Sequence, residues 1–217
     1  MRTPEEWLKI CDKITTGHKA GGNRRNTHRL GISVVDYLVE TKIIEPGDHI
    51  LDVGCANGRV PMGLATRDYP CTYDGVDVHK PCIDFCKYAF TGYPLYHFHH
   101  LDLRSTKYWP KGKTPQYKVI YPFEDGVFDS IVAISLFSHT GTYAAAERTL
   151  QEMSRVLKPD GILFSTWIFG ETDRNDARTV YDRETIEGLF SKLHLSPEQR
   201  TWGAASQTVI ALTKEDV

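Results

Sequence analysis

The stretch Ile50-Leu51-Asp52-Val53-Gly54-Cys55-Ala56-Asn57-Gly58-Arg59 constrains this chain more than any other. An apolar run stops at a glycine, and a helical pattern opens within a few residues. That order marks the strand-turn-helix where α/β proteins hold nucleotide-like ligands. Gly54 can take a backbone conformation that a side chain forbids, and Gly58 lets the helix start close to strand and ligand. The helix N-terminus then points unpaired N–H groups at whatever is bound. Taken alone, the stretch also fits an ordinary βα turn.

Further along, the same grammar repeats. Roughly 25 residues after Asp52, a second apolar stretch ends in an acid, Gly75-Val76-Asp77-Val78. An acid in that place can accept hydrogen bonds from both hydroxyls of a ribose. A third stretch, Tyr96 to Leu101, ends at Asp102-Leu103, and a fourth, Phe128 to Ile134, ends at Ser135-Leu136-Phe137-Ser138-His139. Arg155-Val156-Leu157-Lys158-Pro159-Asp160-Gly161 then reads as a helix end and a Pro/Gly stop before a fifth strand. Strands alternating with helices predict a parallel sheet covered on both faces.

This ordered series resembles the class I S-adenosylmethionine-dependent methyltransferases, from about Ile44 to Trp167. The resemblance implies an α/β, doubly wound, Rossmann-like fold with a mostly parallel seven-stranded sheet and an antiparallel C-terminal strand. It implies S-adenosylmethionine as cofactor and S-adenosylhomocysteine as product. Gly54 to Gly58, with Cys55 and Ala56, would border the methionine portion, and Asp52 would orient the ammonium through water. Asp77, with Val78 beside it, would hold the ribose. Asp102 would bind the adenine amino group with Leu103 against the ring, and Ser135 and Leu136 would line the methionine side. The sequence departs from the family pattern at Ala56, where the middle glycine is expected. A dinucleotide-binding dehydrogenase needs Gly-x-Gly-x-x-Gly, which Gly54-x-x-x-Gly58 does not supply.

Composition agrees with one domain. The 217 residues, 41% of them hydrophobic, suit a single unit with a full core. No apolar run reaches membrane-spanning length, and the N-terminal residues lack a signal peptide's apolar stretch. Five cysteines at no disulfide spacing point to a reducing, cytoplasmic setting. Cys82 and Cys86, one helical turn apart, read as buried helix positions. The net charge of −2 hides an asymmetry: residues 1–122 carry 17 Lys/Arg against 13 Asp/Glu, and residues 123–217 carry 9 against 15. The basic half can draw an anionic substrate or form a plain solvated surface.

The spacing predicts helices over Pro4–Ile14 (Trp7, Leu8 and Cys11 on one face), Thr27–Thr41, Val60–Thr66, Pro81–Ala89, Tyr143–Leu157 and Glu184–Leu193. Glu198–Trp202 and Thr208–Leu212 read as an antiparallel pair across Gly203–Ser206. The glycine-rich Thr16–Asn23 makes residues 1–28 a candidate lid. Residues 104–122 form a long connection that mixes lysines with Tyr108, Trp109, Tyr117 and Tyr121. Long connections at the carboxyl edge of such a sheet are commonly functional, and this one is the expected substrate-side loop.

Methyl transfer from a sulfonium is an in-line displacement that needs alignment and, for many acceptors, a base. His139 is the candidate base, since an imidazole's ordinary pKa lies near neutrality; holding a loop by hydrogen bonding is its other reading. His97, His99 and His100 read as core or edge residues, not as a metal set. His18 and His28 are further substrate-side candidates. The expected acceptor is a small molecule, anionic or aromatic, methylated on O or N. The rivals are an RNA or DNA methyltransferase and a non-catalytic cofactor-binding relative.

Overall fold

Alternating apolar runs and amphipathic helices give the chain its layers. The computed structural model describes residues 2–12, 24–170, 178–202 and 207–216. In chain order the elements are α1 (Pro4–Cys11), α2 (Arg24–Glu40), β1 (His49–Val53), α3 (Arg59–Thr66), β2 (Thr72–Asp77) and α4 (Lys80–Ala89). There follow β3 (Tyr96–His100), β4 (Leu103–Arg104), β5 (Thr114–Pro115), β6 (Phe128–Ala133) and α5 (Tyr143–Val156). The chain continues through β7 (Leu157–Trp167), α6 (Arg183–Lys192), β8 (Leu195–Arg200) and β9 (Thr208–Lys214).

Seven of these strands form one sheet in the order β3-β2-β1-β6-β7-β9-β8, with β9 antiparallel to β7 and β8. The chain winds outward from β1 through β2 to β3, then crosses back to lay β6 on the other side of β1. That reversal opens a crevice above the carboxyl ends of β1 and β6, where such sheets bind ligands. One core joins α1 to α4 with one sheet face, and a second joins α5, α6 and Tyr121 with the other. The doubly wound fold expected from the alternation is present.

The α2–α3 contact is made backbone to backbone. A Cβ on Gly31 would lie 2.1 Å from the Arg59 carbonyl oxygen, and one on Gly63 would lie 2.2 Å from the Gly31 carbonyl oxygen. Arg59 begins α3, so this crossing seats the helix that opens from the glycine turn. At the N-terminus, Thr3 and Glu6 form a capping box on α1. Trp7 is fully buried, 5.1 Å from Phe90 and 6.2 Å from Tyr93 between ring centroids.

Several local expectations change. Leu8 is 44% exposed, because only Trp7 and Cys11 of the proposed face turn inward. Strand β7 starts at Leu157, earlier than a Pro/Gly stop suggests. The pairing jumps from Phe128↔Leu157 to Ser130↔Ile162, so Lys158-Pro159-Asp160-Gly161 is an irregularity within the strand, with Asp160 at φ 60°. Strand β8 starts at Leu195, three residues before Glu198, because Leu195 is buried and pairs with Lys214. The turn at 203–206 lies outside the described residues, as do His18 and the glycine-rich segment of the candidate lid.

The histidines near β3 separate. His49 and His99 flank Asp74, at 2.7 and 2.5 Å from its two carboxylate oxygens. Burial opposes the charge on Asp74, but these two contacts outweigh it and hold its pKa near 2. His100 Nε2 lies 3.0 Å from the Val78 carbonyl oxygen, and His97 is exposed on the edge strand. His28 is buried with its Nε2 2.9 Å from Thr66 Oγ1, which ties α2 to α3 and places it away from the cavity described below.

The α2–α3 crossing gives the first prediction. Gly63→Ala gains roughly 1 kcal/mol of helix propensity but forces a methyl against backbone that cannot rotate away. Net destabilisation at the upper end of the overpacking range, about 3 kcal/mol, is expected in urea unfolding. An unchanged midpoint would show that the helices separate freely.

Candidate active site

The crevice is a cavity of about 490 Å³, within the size range of small-molecule sites. Its floor comes from the loops after β1, β2 and β6. Asp77, the last residue of β2, organises them. One carboxylate oxygen accepts the Ala56 N–H at 2.9 Å, and the other accepts the His79 N–H at 2.6 Å. Burial raises the Asp77 pKa, opposed by the hydrogen bonds from His79 and Ala56 and by His100. Gly54 and Cys55 add N–H bonds to the Val76 carbonyl at 2.8 and 3.1 Å.

The glycine turn is left-handed at Gly54 (φ 82°), Ala56 (φ 47°) and Gly58 (φ 76°). At Gly58 a Cβ would also meet Phe90 at 3.0 Å and the Cys86 sulfur at 3.1 Å. Ala56 carries a Cβ in a conformation that costs about 1–2 kcal/mol. It is held there because its N–H is bonded to Asp77 and its carbonyl accepts the Cys86 thiol at 3.3 Å. Cys82 donates to Asn57 Oδ1 at 3.1 Å. Both thiols are buried and hold the turn to α4.

Asp52 lies beneath the turn. The Tyr73 hydroxyl donates to it at 2.8 Å, and burial pushes its pKa up to about 7, against that hydrogen bond and the Arg59 charge. At the far side, the Trp109 indole N–H donates to Asp102 at 3.0 Å, with His79 and His100 edge-on to the indole.

The other wall follows β6. Ser135, also left-handed at φ 57°, gives its N–H to Thr166 at 2.7 Å, and its carbonyl accepts the Ser138 hydroxyl at 3.0 Å. A short 3-10 turn, Phe137–His139, follows, with Phe137 stacked on Trp167 at 3.8 Å. His139 faces the cavity, its ring 5.5 Å from Tyr108 in an edge-to-face contact. Tyr121 is fixed by Glu152, which accepts its N–H at 2.8 Å and binds Arg148 and Arg155 at 3.0 and 2.7 Å.

Of the residues expected at a cofactor site, Gly54, Ala56, Asp77, Val78, Leu103, Ser135 and Leu136 line this one cavity, and so does His139. Asp52, Cys55, Gly58 and Asp102 lie outside its lining. Sequence reading did not single out Arg59, Leu30, Thr149 or Arg178, which also line it. Thr149 and Arg178 sit in segments without a motif, and only the fold brings them here. Lys107, Tyr108 and Tyr121 came within the long connection already marked as substrate-side.

A family model described as "Methyltransferase domain" matches residues 51–165, more than half of the chain. The chain belongs to the class I S-adenosylmethionine-dependent methyltransferases. Among curated proteins it is similar to the probable tRNA methyltransferase 9B of Homo sapiens, 26% identical over 78% of this chain and 33% of that protein. It is also similar to the fatty-acid O-methyltransferase of Mycolicibacterium smegmatis, 29% identical over 63% of this chain and 39% of the relative. The chain thus spans well under half of these relatives. In fold it resembles a chain from the complex between the Haloferax volcanii Trm112 methyltransferase activator and a methyltransferase. That match has a TM-score of 0.67 at 15% identity, covering 99% of this chain and 100% of that one.

S-adenosylmethionine is the cofactor of this family, and the cavity of this methyltransferase suits it. Asp77 keeps acceptor capacity beyond its two loop amides, as a ribose diol needs. The backbone beside it is bare, and a Cβ on Gly54 would crowd Leu136 Cδ1 at 3.2 Å.

Two predictions follow from this geometry. Asp77→Ala removes charged hydrogen bonds worth about 1.5–3 kcal/mol, so S-adenosylhomocysteine affinity falls roughly 10- to 150-fold by calorimetry. Unchanged affinity in a folded variant would remove Asp77 from the ribose site.

Asp52 has a folded pKa above the 3.8 of an ordinary aspartate. Its contribution to stability is therefore full below pH 3.8 and declines as pH rises to about 7. Asp52→Asn removes that decline, so the variant gains on the wild type between pH 4 and 7, by at most about 4 kcal/mol. Unfolding free energies of the pair that run parallel across this window would contradict the assignment.

Proposed function

We propose that this methyltransferase moves the methyl group of S-adenosylmethionine to an oxygen or nitrogen of a small-molecule acceptor. The observation that carries the reading is the continuity of one cavity from Asp77 to His139, Tyr108 and Tyr121. A cofactor with its ribose on Asp77 and its methionine portion along Gly54, Ala56, Ser135 and Leu136 directs its sulfonium toward that second end. When bound, the cofactor supplies the reactive methyl. The chain's own work is to align the nucleophile, exclude water and take up a proton.

We assign residues 104–122 to the acceptor wall, since they contribute Ser105, Lys107, Tyr108, Gln116, Val119 and Tyr121. His139 is the proposed base, with its ring oriented by the edge of Tyr108. Arg59 lines the proposed methionine end, with Asp52 beneath the turn, where a carboxylate and an ammonium need opposite charges. The relatives act on acceptors as different as tRNA and fatty acids, by their names, so the acceptor class is argued from the cavity. An end walled in part by Tyr121 and Thr149, both buried, suits a small molecule better than a polymer. Five buried free thiols support a reducing, cytoplasmic setting. Among the described residues, no helix is long and apolar enough to cross a membrane.

A nucleic-acid acceptor has one observation in its favour. Lys107, Lys111 and Lys118 each cover an aromatic ring, Tyr108, Trp109 and Tyr117, along the same connection. A methyl-donor assay run against a metabolite library and against total tRNA separates the two. Methylation of tRNA alone would overturn the small-molecule reading.

The base assignment is tested by two substitutions. His139→Ala lowers turnover by about 10²–10⁴-fold with cofactor affinity nearly unchanged. His139→Asn is as damaging, because an amide hydrogen-bonds but takes no proton. A near-normal Asn variant would make His139 a loop anchor.

A further inference from the structure

Charge is distributed unevenly around the cavity. Its ionised lining side chains are three cations, Arg59, Lys107 and Arg178, and one carboxylate, Asp77. Asp77 and Arg59 belong to the cofactor end, where Asp77 bonds the glycine turn and Arg59 interacts with Asp52. Among the described residues, the acceptor end therefore carries two cations and no carboxylate.

Each of those two cations is linked to the His139 loop through a neighbouring residue. Lys107 lies over the Tyr108 ring at 5.2 Å, and Tyr108 meets the His139 ring at 5.5 Å. Arg178 precedes Thr179, whose N–H donates to the Ser138 carbonyl at 2.8 Å and whose hydroxyl accepts the Gly141 N–H at 2.9 Å. Thr179 thus ties the start of that segment to the loop that bears His139. Both cations are exposed and His139 is half-buried, so they stand at the mouth of the cavity with the histidine deeper. Among the described residues, neither Lys107 nor Arg178 forms an ion pair with a carboxylate, whereas Arg67, Arg148, Arg155 and Arg183 all do. Cations that line a site and have no carboxylate partner among the described residues fit an anionic ligand.

We propose that the acceptor carries a carboxylate or phosphate group, held by Lys107 and Arg178 at the mouth, with its nucleophilic O or N beside His139. Tyr108 and Tyr121, which line the same end, take an aromatic or otherwise flat apolar body. This assignment rests on the methyltransferase reading of the cavity. It places the anion away from the methyl: the bond formed is from the acceptor's neutral O or N to the methyl carbon, and the bond broken is sulfur to methyl. The acceptor proton goes to His139, and the cations stay paired with the remote anion throughout.

The test uses the full chain loaded with S-adenosylhomocysteine. Binding of benzoate and phenyl phosphate is compared with that of benzamide and benzyl alcohol by calorimetry or ligand-observed NMR. The anions should bind about tenfold or more tightly than their neutral counterparts, as expected for charged hydrogen bonds. In Lys107→Ala/Arg178→Ala that preference should fall to about twofold, with S-adenosylhomocysteine affinity unchanged. In Lys107→Glu/Arg178→Glu it should reverse in favour of benzamidinium, a gain that misfolding cannot mimic. Equal binding of anionic and neutral probes, no binding of any anion, or binding of an RNA oligonucleotide but not of the aryl anions would each overturn the proposal. Failure of S-adenosylhomocysteine itself to bind would instead overturn the cofactor reading, so the two failures are separate.

Discussion

The carboxylate of Asp77 is the fixed point of this molecule. Strands β1 and β2 run parallel with Val53 opposite Val76, so their loops leave the sheet side by side. Asp77 then clasps both, through the Ala56 and His79 amides. A buried carboxylate is costly unless its oxygens are bonded, and charged bonds of this kind are worth about 1.5–3 kcal/mol each. The same atoms that hold the two loops together therefore offer their remaining lone pairs to a ligand.

That arrangement tolerates unusual backbone. Ala56 and Ser135 are left-handed without being glycine, and both line the cavity. Each is over-determined by its neighbours: Ala56 by Asp77 and Cys86, Ser135 by Thr166 and Ser138. Strain of this sort persists where surrounding bonds enforce it and gathers at functional sites. Behind the turn, Gly31 and Gly63 let α2 and α3 touch through their backbones, with the Arg59 carbonyl in the contact. The packing of two helices thereby sets where the cavity-lining Arg59 begins its helix.

The rest of the cavity wall is built differently. Its residues come from the connection after β3, the 3-10 turn after β6, helix α5 and the segment that starts at Arg178. Buried Glu152 joins two of these, helix α5 and the connection after β3: it takes the Tyr121 amide and, on its own helix, Arg148 and Arg155. Burial opposes its charge, but the bonds from Arg155 and Tyr121 outweigh that and lower its pKa. A cavity whose one side is clasped by Asp77 and whose other side is assembled from separate loops fits a fold that serves many chemistries.

Much of this was legible in the residues themselves. Glycines at fixed offsets after an apolar run, acids at strand ends and helical periodicity between them are local, and local physics dictates each element and its order. Hence the sheet, its helices, the family and the cofactor followed from sequence, as did the placement of His139 beyond a strand end. Other features depend on groups far apart in the chain. No local signal tells that Asp77 reaches back 21 positions to the Ala56 amide, or that Trp109 turns its indole onto Asp102. Nor does one show that Lys158 to Gly161 continue a strand as an irregularity, or that Thr149 and Arg178 meet Lys107 around one opening. Apolar spacing and backbone conformational limits determined the elements. Which side chains share the space above the sheet was decided only by tertiary packing, because that depends on how loops of unpatterned sequence close over it.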